Sequence, residues 1–219
     1  QDIDSCYAIG KTEPMIIKCK GKFLSPGLID NHVHLILNSS KDIINYVNTS
    51  DITHYLKVVK ENINQAIKQG ITTLVDMGDT HKILSNLKKN QDHSYPYKPR
   101  LFSAGQMIST KKGHVKSIAR ETVFNKDHIK DEIAYQVNQD VDFLKLIVSG
   151  GILTKNSHPL KTELSQHDLN LFCTLANEKQ IPIAAHTYSD KDISNAIHAG
   201  VSRIEHGIWA SNKTLKLAS

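Results

Sequence analysis

The sequence is poor in cysteine, aromatic residues and long apolar runs, and each shortage removes a class of protein. Its three cysteines, Cys6, Cys19 and Cys173, are odd in number, widely spaced and free of any CxxC pair. Neither a disulfide framework nor a thiolate zinc site is expected from them. Aromatic residues make up only 6% of the chain and are dispersed, which leaves no base-stacking platform for nucleic acid. The longest apolar runs are a few residues, far below the roughly 20 that a membrane-spanning helix needs. No HExxH, GxSxG or GxGxxG segment occurs. Gly10-Lys11-Thr12 lacks the upstream glycine of a phosphate-binding loop, because Ser5 stands in its place. The chain opens at Gln1 in polar sequence with no apolar stretch of the signal-peptide type. A cytoplasmic protein is the expectation, or a periplasmic or secreted one if a leader precedes Gln1.

What remains is ordinary globular composition, with 39% hydrophobic and 22% charged residues, 11 Gly and 6 Pro in 219 residues. There are 27 basic residues against 22 acidic ones, a net charge of +5. The lysines are scattered, and the densest runs (Lys88-Lys89 and Lys111-Lys112) are pairs. Neither a nucleic-acid nor a membrane partner is expected from such a pattern. The unusual feature is histidine, with 12 residues.

Short β-branched apolar runs alternate with amphipathic helical stretches. Strands are predicted over 28–33, 71–76, 100–103, 142–148, 181–185 and 201–205. A helix over 52–68 places Tyr55, Val58, Val59, Ile63, Ala66 and Ile67 on one face and ends at Gly70. Ser165 with Asp168, and Ser189 with Asp192, form cap signatures before helices over 169–179 and 193–199. Residues 1–27 are strand-like and turn at Pro26-Gly27 into the first strand, so the chain divides into 1–27 and 28–219. Alternation of this kind implies a parallel α/β sheet with right-handed crossovers. About six βα units fit, whereas a closed (β/α)8 barrel takes about 250 residues. Length alone favours an open doubly wound sheet; the residues at the strand ends favour a barrel.

His32 and His34 stand two apart at the end of the first strand, so both imidazoles point to one side and could share a metal ion. Chance yields about 0.7 such pairs in a chain of this composition, so the pair alone says little. Lys145, His186 and His206 also fall at or near strand ends, which in a barrel converge on the active site. Lys145 lies in an apolar strand, where its charge must be paired, removed or led out to solvent at an edge. Carboxylation by CO2 would convert it to an anionic oxygen ligand able to bridge two metals.

Pro26-Gly27-Leu28-Ile29-Asp30-Asn31-His32-Val33-His34 resembles the opening motif of the amidohydrolase superfamily. Lys145 before Ser149-Gly150-Gly151, His186 in Ala184-Ala185-His186-Thr187-Tyr188, and His206 in Ile204-Glu205-His206-Gly207 follow in that family's order. The last signature is most similar to the branch of imidazolonepropionase-related proteins and metal-dependent Xaa-Pro dipeptidases, and Lys145 favours its binuclear, prolidase-like members. The resemblance implies an incomplete (β/α)8 TIM barrel of the metal-dependent hydrolase type, with residues 1–27 as part of a small N-terminal β-sandwich. It implies two divalent ions, zinc by ligand type. His32 and His34 would hold the buried ion, carboxylated Lys145 would bridge, and His186 and His206 would hold the more exposed ion. Tyr188 would polarise the substrate carbonyl and His114 would lie beside the substrate. The alternatives are a Tyr188 that only packs over the barrel mouth and a His114 that is an exposed loop residue.

The family also carries an Asp after its last barrel strand, as ligand and proton shuttle. Asp76 and Asp79 follow the second strand and do not match that position, so the sequence reads as a fragment in which turnover would be impaired. The expected activity of the complete protein is hydrolysis of an amide or peptide C–N bond by a metal-bridging hydroxide, in the manner of a prolidase-like dipeptidase. A cyclic amidase, a deaminase and a non-catalytic metal-binding remnant remain as alternatives. The expected partner is a dipeptide or other small substrate, and a homo-oligomer is compatible with the family.

Overall fold

The computed structural model describes residues 20–89 and 99–219. Its strands form two sheets in which every pairing is parallel. One has the order β1-β2-β3, formed by Leu28–Val33, Ile71–Asp76 and Arg100–Ser103. The other has the order β5-β4-β6-β7-β8. In chain order these strands are β4 (Ile108–Thr110), β5 (Arg120–Thr122), β6 (Leu144–Ile147), β7 (Ile183–Thr187) and β8 (Arg203–His206). This is an α/β fold built on parallel sheets.

The first three predicted strands coincide with β1, β2 and β3, and the helix predicted over 52–68 is α2 (Ile52–Lys68). Its Tyr55, Val58, Val59 and Ile63 are buried, and Gly70 closes it at φ +80, a conformation open to glycine. Both cap signatures hold. Ser165 Oγ accepts from the Asp168 N–H at the start of α5 (Gln166–Asn177), and Ser189 Oγ from the Asp192 N–H at the start of α6 (Asp190–His198). Three predicted strands shift: β6 is shorter at both ends, and β7 and β8 begin two residues later than expected. The reason is a polar or turn-forming start to each segment: Asp142 Oδ2 accepts from Ser103 N–H, and Pro182 cannot donate to a ladder.

Elements not foreseen are α1 (Ile43–Thr49), α3 (Ile83–Lys89), β4, β5, α4 (Lys126–Val137) and α7 (Asn212–Leu217). The two sheets meet where the Asp142 N–H donates to the Ser103 carbonyl, 2.9 Å away. At the far side β8 faces β1 through side chains: Arg203 donates to the Asn31 carbonyl, and Glu205 pairs with His32. The core has two large clusters, and a small third of Val75, Met77 and Ala184 that joins β2 to β7. One cluster packs β4, β6 and β7 under α4 and α5 around Leu144, Leu146, Leu169 and Phe172. The other packs α2 and α3 on β2 around Tyr55, Val59, Leu74 and Leu84. Residues 1–19, most of the expected sandwich remnant, lie outside the described residues, and residues 20–27 carry no regular element. No described helix is long and apolar enough to cross a membrane.

Candidate metal centre

The strand ends deliver their polar side chains to one cavity of about 220 Å3. It is lined by His32, His34, His114, Lys145, His186, Tyr188 and His206, together with apolar residues. The structure thus brings together all seven residues singled out in the sequence. Ring centroids lie 5.6 Å apart for His32 and His34, 5.2 Å for His32 and His206, and 4.5 Å for His186 and His206.

Three of the four candidate metal-site histidines, His32, His34 and His186, are oriented by a carbonyl or carboxylate on one ring nitrogen. His34 Nδ1 lies 3.0 Å from the Gly78 carbonyl, which can only accept, so Nδ1 carries the proton and Nε2 is bare. His32 Nδ1 donates to the Glu205 carboxylate, again leaving Nε2 bare. His186 Nε2 lies 3.1 Å from the Gly150 carbonyl and must donate, so its bare nitrogen is Nδ1, which faces His206 Nε2 at 2.8 Å. This tautomer-fixing pattern is the one metal-binding histidines adopt. Burial pushes His34 and His206 down to about 4 and His186 down to about 2, with neighbouring cations adding to the effect, so these imidazoles are neutral at pH 7.

Lys145 is 1% exposed, and its Nζ has no hydrogen-bond partner among the described residues. Burial lowers its ammonium to about 7, opposed by the Glu205 charge and reinforced by Arg203. A buried, unpaired and partly neutral amine beside these imidazoles is a nucleophile and a potential donor. Glu205 is held down at about 2: burial raises it, but the His32 hydrogen bond and the Lys145 and Arg203 charges outweigh that.

Among the described residues no three His, Cys, Asp or Glu donors converge tightly enough to hold an ion as they stand. Lysine adds a further donor, and the 2.8 Å His186–His206 contact is a hydrogen bond between two nitrogens that a cation would part. The donor set, with its bare nitrogens and orphaned amine, fits divalent metal.

His114 is buried rather than exposed, contrary to one of the readings of its loop. Its backbone N–H donates to both oxygens of Glu163 at 2.9 Å, and its ring lies 5.0 Å from that of His186. Gly151 makes that placement possible, since a Cβ there would fall 2.3 Å from His114 Nε2. The Tyr188 ring stacks on His206 at 4.7 Å, and burial raises its hydroxyl, so it remains a donor at neutral pH.

Sequence reasoning missed the residues that orient these. Asp76 accepts from Leu35 N–H at 2.7 Å and from Gly78 N–H at 2.9 Å, fixing the carbonyl that holds His34. Asp192 accepts from Ser149 Oγ and Thr162 Oγ1, and Ser149 Oγ accepts from Tyr188 N–H. Glu205 stood beside His206 in the motif, but only the folded chain shows that it serves His32. His206 itself sits at φ +67, a strained conformation of the kind found at functional sites.

Residues 23–215 match the amidohydrolase family model. The chain therefore belongs to the amidohydrolase family. Over 91 residues it is 22% identical to the ochratoxinase of Aspergillus niger, a segment covering 42% of this chain and 19% of that protein. The crystal structure of that enzyme aligns with a TM-score of 0.76 at 17% identity, over 88% of this chain and 49% of that one. A prolidase complexed with N-methylphosphonate-L-proline aligns with a TM-score of 0.80 at 20% identity, over 94% of this chain and 55% of the other. A Xaa-Pro dipeptidase with bound methionine aligns with a TM-score of 0.72 at 22% identity, over 88% of this chain and 50% of the other. The chain spans about half the length of these solved structures.

Proposed function

We propose that this amidohydrolase chain carries the binuclear metal centre of a hydrolase that cleaves an amide or peptide C–N bond, as a prolidase-like dipeptidase does. One observation carries the reading: three strand-end histidines lining one cavity each have one ring nitrogen held by a carbonyl or carboxylate, and Lys145, whose buried amine has no partner among the described residues, lines the same cavity. In this reading the described strands form an arc of a (β/α)8 barrel, and residues 1–27 belong to a small β-sandwich. His32 and His34 would hold one ion and His186 and His206 a second, with Lys145, once carboxylated, as a shared oxygen donor. Zinc suits imidazole and oxygen donors of this kind. Bound there, two such ions supply Lewis acidity that activates water at neutral pH and polarises a carbonyl.

The chain's own residues do the rest. Tyr188, protonated at pH 7, donates its hydroxyl to the scissile carbonyl oxygen. Neutral His114, whose Nδ1 has no partner among the described residues, offers that nitrogen to a polar group of the substrate. Glu205 and Gly78 keep the proton on Nδ1 of His32 and His34, and Gly150 keeps it on Nε2 of His186, so the facing nitrogens stay available. Asp76 and Asp79 take no part in proton transfer, because their carboxylates are turned into the end of β2.

The test is elemental analysis of the protein in its full natural chain, purified without chelator, followed by a panel of Xaa-Pro dipeptides. About two zinc-like ions per chain and cleavage of the panel are expected. His186→Ala should lose at least one of the ions. A metal-free protein that cleaves no amide would refute the proposal.

A further inference from the structure

The cavity is lined by two kinds of side chain. Besides the imidazoles, Tyr188 and Lys145 it has an apolar wall of Met107, Val115, Ile147, Ile152 and Leu153, and among the described residues no Asp, Glu or Arg lines it. Three of these residues belong to the core and are buried. Ile152 and Leu153 do not: they are 78% and 42% exposed, on the loop that follows β6.

That loop is tied down by polar contacts rather than by packing. Gly150 N–H donates to the Lys161 carbonyl, Gly151 N–H to Ser157 Oγ, and Glu163 N–H to the Val148 carbonyl. Thr154 Oγ1 accepts from Val115 N–H at 2.8 Å, which pins the loop against the segment carrying His114. The Ser149–Thr162 bridge and Asp192 close its base. The loop is held by these polar groups without help from Ile152 and Leu153, whose branched apolar side chains line the cavity instead.

Resting on the hydrolase reading above, we propose that Ile152 and Leu153 are specificity residues that receive an uncharged, apolar group flanking the scissile carbonyl. The substrates are then small carboxamides, dipeptides or N-acyl amino acids, with an aliphatic or aromatic side chain on that flank. The chemistry agrees, since a charged flank would be desolvated against these apolar side chains, whereas an apolar flank would not.

Hydroxamates test this without requiring turnover, because they chelate the metals whatever reaction the protein performs. Affinities of the zinc-loaded protein for acetohydroxamate, 4-methylpentanohydroxamate and the monohydroxamate of succinate would be measured by calorimetry. The branched apolar tail should bind at least about 10-fold more tightly than the acetyl compound, and the anionic tail should gain nothing. In the double variant Ile152→Asp, Leu153→Asp, the ratio between apolar and acetyl compounds should fall to about one. Both side chains are exposed enough that the variant leaves no hole in the core. An unchanged ratio in the variant, or an equal gain from the anionic tail, overturns the proposal. Tail discrimination in a protein that cleaves no amide would sink the hydrolase reading and leave the wall's role standing. Cleavage of dipeptides with no discrimination among tails would do the reverse.

Discussion

The two sheets bring candidate metal ligands to the same cavity by different physical means. β6 and β7 pair in unbroken register, and every residue of both strands is buried, so Lys145 and His186 stand on strands fixed by packing. β1 pairs with β2 through two register shifts, and its Leu28 and Ile29 are 61% and 64% exposed. His32 and His34 depend instead on hydrogen bonds at the strand's end, from Glu205, Gly78 and, behind Gly78, Asp76. A ligand pair can be held by a filled core or by a polar relay. The relay is more exposed to changes of charge, and the core to changes of volume.

The largest expected contrast is in volume. Leu146 is fully buried in the β6 core, and Leu146→Ala should cost about 2–5 kcal/mol by removing contacts that the neighbours cannot restore. Ile29→Ala on β1 should cost no more than about 0.5 kcal/mol, as an exposed position does. Urea unfolding of both variants measures this. A larger loss for Ile29→Ala would show that β1 is covered in solution, and the contrast between the sheets would collapse.

Lys145 is where the rigid half pays for function. Its folded value of about 7 against 10.5 means that, as pH falls from 10.5 to 7, the unfolded chain takes up a proton the native chain resists. Stability is lost over that window, and the full penalty applies below pH 7. Lys145→Met keeps the side-chain length and removes the charge. The metal-free variant should be more stable than its parent by about 1–3 kcal/mol at pH 6, with the gain fading towards pH 10.5. It should also hold at most one metal ion per chain. Thermal unfolding across pH and elemental analysis read the two effects. A destabilised variant that still binds two ions would remove Lys145 from the centre.

How much of this was legible beforehand follows the same division. β1, β2, β3 and α2 could be read to the residue, because period-2 and period-3.6 apolar patterns are local and strong. Five of the seven cavity residues were legible because strand-end positions and motif order coincide, while Tyr188 and His114 followed from the resemblance alone. β4 and β5 were not, since three-residue strands carry too short a pattern to register. The orienting partners were illegible for another reason. Glu205 meets His32 across 173 positions and Asp192 meets Ser149 across 43, and nothing local marks a carboxylate for a distant partner. Asp76 and Asp79 were noticed only as residues that fail to match a ligand position; their task is to hold backbone N–H groups.

Those two aspartates supply the subtlest test of the polar half. Asp79 Oδ2 accepts from Leu84 N–H at 2.7 Å, while Oδ1 is buried without a partner among the described residues. Burial raises Asp79 to about 6, and burial with the Asp79 charge raises Asp76 to about 7. Between the unfolded value of 3.8 and about 6, the native chain keeps a proton on Asp79 that the unfolded chain has released. Stability contributed by this group is therefore lost as pH rises through that window, and the penalty is complete above it. Asp79→Asn keeps an oxygen for Leu84 and has no charge to bury. It should stabilise the metal-free protein by about 1–2 kcal/mol at pH 8, with the gain shrinking steadily towards pH 4. Denaturant unfolding at stepped pH reads the difference, and hydrogen exchange should place it in β2 and α3 rather than in β6 and β7. A gain independent of pH would mean that packing, not charge, governs the end of β2, and the distinction drawn between the two sheets would fail at the residues that orient His34.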